Sequence, residues 1–130
     1  MPIFVLKEYE QMPAEAQRVL DDIMATRQVK SVNNFWKMLA NHPPTLERIW
    51  GSVKRVMGPS KVDALTKEMI YVAVSVTNNC EYCIHSHIAA ARKLGMDDEM
   101  LAEVLAVAAL ANETNRLANG YRVPVDEAFK

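Results

Sequence analysis

Cysteine is scarce in this chain of 130 residues, which contains only Cys80 and Cys83. One pair of cysteines cannot build the several bridges that hold small secreted domains together. A spacing with two residues between the cysteines is typical of a redox-active pair, or of half of a metal site. The chemistry of these two thiols is therefore the first question that the sequence raises.

Long hydrophobic runs are absent, since no apolar stretch approaches the ~20 residues that a membrane-spanning helix needs. The N-terminal segment 1–8 has an apolar patch but neither a basic start nor a long apolar core, so we do not interpret it as a secretory signal. We expect a cytoplasmic protein without a membrane partner. In a reducing cytosol, a closely spaced pair of cysteines is more often catalytic or metal-binding than structural.

No excess of one charge is present, because 15 lysines and arginines are matched by 16 aspartates and glutamates. The basic residues are scattered along the chain, whereas a nucleic-acid-binding surface requires them to cluster. We therefore expect no nucleic acid partner. The length is sufficient for one domain to bury its own core without disulfides or metal ions, and we expect a single domain over residues 1–130.

Glycine is also rare, with four residues, and strand-like alternation of apolar and polar residues is missing. Apolar residues instead recur at helical spacing between the prolines and glycines. The sequence predicts an all-α fold, a compact bundle of about six helices, and an irregular tail from residue 120. The predicted helices cover about residues 13–27, 34–40, 45–58, 60–78, 80–95 and 97–111.

The fifth predicted helix carries its reactive side chains on one face. At about 100° per residue, Cys80, Cys83 and His87 share a stripe, with His87 one turn after Cys83. The first turn of a helix favours a thiolate, and His87 can accept the Cys83 proton, so we expect the pKa of Cys83 to lie below its usual ~8.5. The spacing also allows a disulfide between the two cysteines. His85 points to the opposite face.

The fourth predicted helix contributes an acid and an unusual apolar segment. Residues 69–76 are apolar around the whole circumference, which predicts a buried core helix. Glu68 directly precedes this segment and lies on the same stripe as Tyr71. Burying a carboxylate there costs free energy unless it is paired. Because the chain turns at residues 78–79, the fourth and fifth helices should be antiparallel neighbours. Glu68 is then a candidate partner of His87, across a small offset or a water.

Other interpretations of the cysteine helix stay open. The two cysteines could be core residues, or they could bind zinc together with His87 and a fourth ligand. The remaining histidines fit a zinc site poorly, because His42 lies far upstream and His85 is on the wrong face. We expect no metal and no cofactor. Tyr82 could form a pocket wall or donate a proton.

The pattern E-x11-C-x-x-C-x-x-x-H over residues 68–87 resembles the alkylhydroperoxidase D family, within the carboxymuconolactone decarboxylase superfamily. The similarity continues with alanines at 89–90 and a helix end at 94–95, and more widely from about residue 34 to about residue 111. This resemblance implies an all-helical homo-oligomer, commonly a trimer or a hexamer. An apolar helix in so short a chain also favours self-association, because exposed apolar patches usually mark interfaces.

The resemblance also implies a role for each reactive residue. Cys83 corresponds to the peroxidatic cysteine, Cys80 to the resolving cysteine, His87 to the proton-relay histidine and Glu68 to its acidic partner. Some peroxidase members carry a histidine beside the second cysteine, where this chain has Tyr82. The decarboxylase branch lacks the cysteine pair, so the chain does not resemble a lactone decarboxylase.

A thiol-dependent peroxidase is the function that the resemblance implies. The Cys83 thiolate attacks a hydroperoxide and becomes a sulfenic acid, Cys80 condenses with it to a disulfide, and an external dithiol, for which the family suggests a lipoyl domain, restores both thiols. Two other classes are compatible with the residues. One is a disulfide reductase or thiol-disulfide redox protein without peroxidase activity, and the other is a redox-inert helical oligomer.

Overall fold

The computed structural model describes all 130 residues, and every regular element in it is helical. Short 3-10 turns lie near the two ends, at Tyr9–Gln11 and Glu127–Phe129. Between them are six α-helices, which confirms the predicted all-α class and the number of helices. They are α1 (Ala14–Arg27), α2 (Asn34–Leu39), α3 (Pro43–Met57), α4 (Ala64–Thr77), α5 (Glu81–Lys93) and α6 (Asp98–Gly120).

Three helix boundaries differ from the prediction. α3 begins at Pro43 rather than at residue 45, because a proline in the first turn lacks only an N–H that has no helical partner. α4 begins at Ala64 rather than near residue 60, because the Asp63 side chain caps it by accepting the Thr66 N–H at 2.9 Å. α6 extends to Gly120, since residues 112–119 contain no proline or glycine that would end it.

The chain divides into two compact units, an N-terminal unit of residues 1–58 and a C-terminal unit of residues 59–130. The N-terminal unit contains α1, α2 and α3, and its core is formed by apolar side chains that recur every three or four residues along these helices. Trp36 and Trp50 pack edge to face there, with ring centroids 5.5 Å apart. The buried core residues are Met12, Ala16, Val19, Leu20, Ile23, Trp36, Ala40, Leu46 and Trp50.

The C-terminal unit contains α4, α5 and α6, with α4 packed against both of the others. The prediction that residues 69–76 form a buried helix is wrong for the single chain. Val72 and Ser75 are buried, but Ile70 and Val74 are 54% and 53% exposed, because α5 and α6 cover only part of the circumference of α4. None of the helices combines the length and the hydropathy needed to cross a membrane.

Candidate active site

A tight turn between α4 and α5 fixes the position of the two cysteines. Asn79 adopts the left-handed conformation, with φ of 54°, which asparagine tolerates better than most residues. The Cys80 N–H then donates to the Ser75 carbonyl at 3.0 Å, which closes the end of α4. α5 begins at Glu81, so Cys80 is its N-cap residue and Cys83 lies in its first turn.

Glu68 and His87 meet directly. The His87 Nδ1–H group donates to Oε2 of Glu68 at 2.6 Å, without the offset or water that the sequence left open. The side chains are 15% and 22% exposed, respectively, so this is a largely shielded pair. Glu68 lies in the second turn of α4 and His87 in the second turn of α5, which fits the antiparallel arrangement expected from the turn. A carboxylate at Nδ1 keeps the proton on that nitrogen and leaves Nε2 available for proton exchange.

Tyr71 is a further part of the site that the sequence interpretation did not assign. Its ring stacks on the imidazole of His87, with centroids 3.6 Å apart and an angle of 17° between the planes. The signal was available in the sequence, because residues three apart on a helix share a face and Tyr71 follows Glu68 at that spacing. The offset between α4 and α5, which decides that Tyr71 meets His87, could not be taken from the spacing.

The two cysteines are free thiols and both are half-buried. The Cys83 thiol and then the Cys83 backbone amide lower the pKa of Cys80. The interaction with the Cys80 thiol, followed by burial and by the charge on Cys80, raises the pKa of Cys83 to about 11. The expectation that the pKa of Cys83 lies below its usual value is therefore wrong. The physical reason is that Cys80, which caps the start of α5, accepts hydrogen bonds from the Cys83 thiol and backbone amide. Cys83 is more buried and donates its own proton to Cys80.

Three further polar residues were considered in the sequence interpretation. His85 is exposed, as predicted, and Tyr82 is 42% exposed. His42 caps α3, where its ring nitrogen accepts the Thr45 N–H at 3.3 Å. No three side chains of His, Cys, Asp or Glu converge closely enough to hold a metal ion. Glu68, Tyr71 and His87 contact one another, and Cys80 and Cys83 interact at the start of α5, the helix that also carries His87. These groups suit proton chemistry and thiol chemistry, respectively.

Comparison with known proteins gives three similarities. The carboxymuconolactone decarboxylase family model matches residues 43–126. The crystal structure of the alkylhydroperoxidase AhpD core from Rhodospirillum rubrum has a TM-score of 0.91 and 50% sequence identity, over 99% of this chain and 97% of that one. A curated relative from Paracoccus denitrificans, named uncharacterized protein 4 in cox locus, is 38% identical over 56 residues. That match covers 43% of this chain and only half of the relative's length.

Proposed function

The chain belongs to the carboxymuconolactone decarboxylase family, in its alkylhydroperoxidase D-like group, and on this premise we propose that it is a thiol-dependent peroxidase. The observation that carries the proposal is the pair of free thiols Cys80 and Cys83 at the start of α5, on the helix that also presents His87. The direct contact between His87 and Glu68 supplies the group that orients the imidazole. The proposed substrate class is a hydroperoxide, in line with the name of the similar alkylhydroperoxidase structure.

The mechanism begins with one proton shared by the two thiols. When one of the two thiols is ionised, the lower pKa of Cys80 places the negative charge there, while Cys83 holds the proton. Transfer of that proton from Cys83 to Cys80 produces the Cys83 thiolate. We assign the attack to Cys83 because it precedes His87 by one helical turn on the same face of α5.

The oxidation consumes one hydroperoxide and both thiols. The Cys83 thiolate attacks the terminal oxygen, so that an S–O bond forms, the O–O bond breaks and the sulfur becomes a sulfenic acid. Protonated His87 gives a proton to the departing alkoxide and then accepts the proton of the Cys80 thiol. The Cys80 thiolate attacks the sulfenic sulfur, a disulfide forms, and hydroxide leaves as water with the proton from His87. The products are the disulfide, one alcohol and one water.

An external dithiol completes the cycle by thiol-disulfide exchange, and a lipoyl domain is the partner that the family resemblance suggests. The acidic Cys80 thiol at a helix N-cap also favours a second candidate function, a thiol-disulfide reductase that consumes no peroxide. The two candidates share the cysteine pair and differ in the oxidant.

A steady-state assay of hydroperoxide reduction with dithiothreitol or dihydrolipoamide tests the proposal. We expect turnover by the wild type and none by Cys83→Ser. With the dithiol left out, Cys80→Ser should complete a single turnover and stop at a sulfenic acid, which a dimedone label detects by mass spectrometry. Wild-type peroxide consumption no faster than that of a variant lacking both cysteines contradicts the proposal. Reduction of a model disulfide without peroxide consumption favours the second candidate.

We further propose that the protein is a homo-oligomer, a trimer or a hexamer, in the cytoplasm. The support is apolar surface that the single chain leaves uncovered, with Ile70 and Val74 on α4 and Val107 and Leu110 on α6 all more than half exposed. Apolar patches of this kind usually mark interfaces. Light scattering at several protein concentrations tests the assembly. A constant mass of one chain, 14.6 kDa, contradicts it.

A further inference from the structure

We infer that Tyr71 is a positioning residue that sets the plane of the His87 imidazole, so that Nε2 points at the reacting oxygen. The inference rests on the proposed peroxidase function and adds a residue to its proton relay. It is carried by the stacked geometry, with ring centroids at 3.6 Å and planes at 17°. Tyr71 is 39% exposed, so the contact with His87 is not imposed by deep burial of the tyrosine.

The hydrogen bond from His87 to Glu68 fixes the imidazole only in part. One bond at 2.6 Å sets the direction of Nδ1, but the imidazole can still tilt through the χ1 and χ2 torsions of His87. A flat ring packed against one face of the imidazole restricts that tilt. Glu68 and Tyr71 are one helical turn apart on α4, so a single rigid helix supplies the contact at the edge and the contact at the face.

The stack also suits the charge that His87 carries in the proposed cycle. The face of an aromatic ring is negative, and it attracts a cation placed over it. Tyr71 therefore stabilises the imidazolium that donates a proton to the alkoxide. Phenylalanine keeps this ring face, whereas leucine has similar hydrophobicity and no ring face. The Tyr71 hydroxyl is not needed for either effect.

The test compares Tyr71→Phe and Tyr71→Leu, each made in the wild type and in His87→Ala. In the wild-type background we expect Leu to lower kcat about fivefold and Phe to restore most of that loss. In the His87→Ala background, Leu should cause no further loss, because a positioning residue acts through the group that it positions. Tyr121→Leu is a matched control, since it makes the same change at a residue that is 80% exposed at the end of α6.

Proton NMR of the His87 ring gives a second measurement that does not depend on activity. Ring-current shifts should displace the imidazole signals upfield in the wild type and in Tyr71→Phe, and these shifts should vanish in Tyr71→Leu. Light scattering confirms that the variants are compared in the same assembly. If the wild type is active and Tyr71→Leu is equally active, this inference alone is overturned. It is also overturned if Tyr71→Leu lowers kcat by the same factor in the wild type and in His87→Ala. A wild type that reduces no hydroperoxide overturns the proposed function, and the inference with it.

Discussion

Substitution of Glu68 by glutamine is the most direct perturbation of the proposed proton relay. Glutamine has nearly the same shape as glutamate and can occupy the same space beside His87, but it carries no charge. Its amide can also donate to Nδ1, which forces the imidazole proton onto Nε2 and blocks that nitrogen as an acceptor. We therefore expect Glu68→Gln to slow hydroperoxide reduction while the fold is kept.

The size of the effect follows from the contact. A hydrogen bond to a charged group contributes about 1.5–3 kcal/mol, and a neutral one contributes about 0.5–1.5 kcal/mol. The side chains of Glu68 and His87 are 15% and 22% exposed, so solvent weakens their interaction only modestly. The difference of about 1–1.5 kcal/mol corresponds to a loss of roughly five- to tenfold in rate, if it is expressed in the transition state. The free energy of unfolding should change by less than about 1 kcal/mol.

The assay is steady-state hydroperoxide reduction, with urea unfolding of the same preparations. Glu103→Gln is a matched control, because it removes the same charge from an exposed position on α6. We expect the control to have the rate and the unfolding midpoint of the wild type. Wild-type activity in Glu68→Gln refutes the reasoning and makes Glu68 a structural acid. A loss of rate that follows a loss of folded protein in urea refutes it as well.

Three further predictions concern the thiols, one surface carboxylate and one helix cap. Because the Cys83 thiol lowers the pKa of Cys80, the rate of Cys80 alkylation against pH should have its inflection below that of an ordinary thiol, and Cys83→Ser should move it upward. An inflection that does not move removes Cys83 as the cause. The Lys54 ammonium, with the Trp50 N–H, lowers the pKa of Asp22, so its contribution to stability is present at neutral pH and is lost as the pH falls below about 4. Unfolding midpoints between pH 6 and pH 3 should therefore fall less steeply in Asp22→Asn than in the wild type, and equal slopes contradict this. Asp63→Ala should lower the free energy of unfolding by about 1 kcal/mol through loss of the α4 cap, and an unchanged urea midpoint contradicts the capping role.

Sequence-based reasoning went furthest where the structure is local. The helical class and the number of helices follow from periodicity and from the rarity of glycine and proline, which depend on neighbours along the chain. The common face of Cys83 and His87 also follows from the sequence, because helix geometry alone sets the angle between residues four apart. The predicted start of this helix, residue 80, is one residue before the observed start at Glu81. His85 was placed on the opposite face of the helix, and it is exposed.

The tertiary structure decided the features that depend on how far α5 is offset along α4. Glu68 and His87 are 19 residues apart, so only the packing of the two helices determines that they touch directly and that Tyr71 covers the imidazole. The order of the two thiol pKa values was decided in the same way. Helix periodicity places Cys80 and Cys83 on one face, but a pKa depends on burial and on which group donates to which. Those quantities arise only when the turn at residues 78–79 and the helices around it are in place.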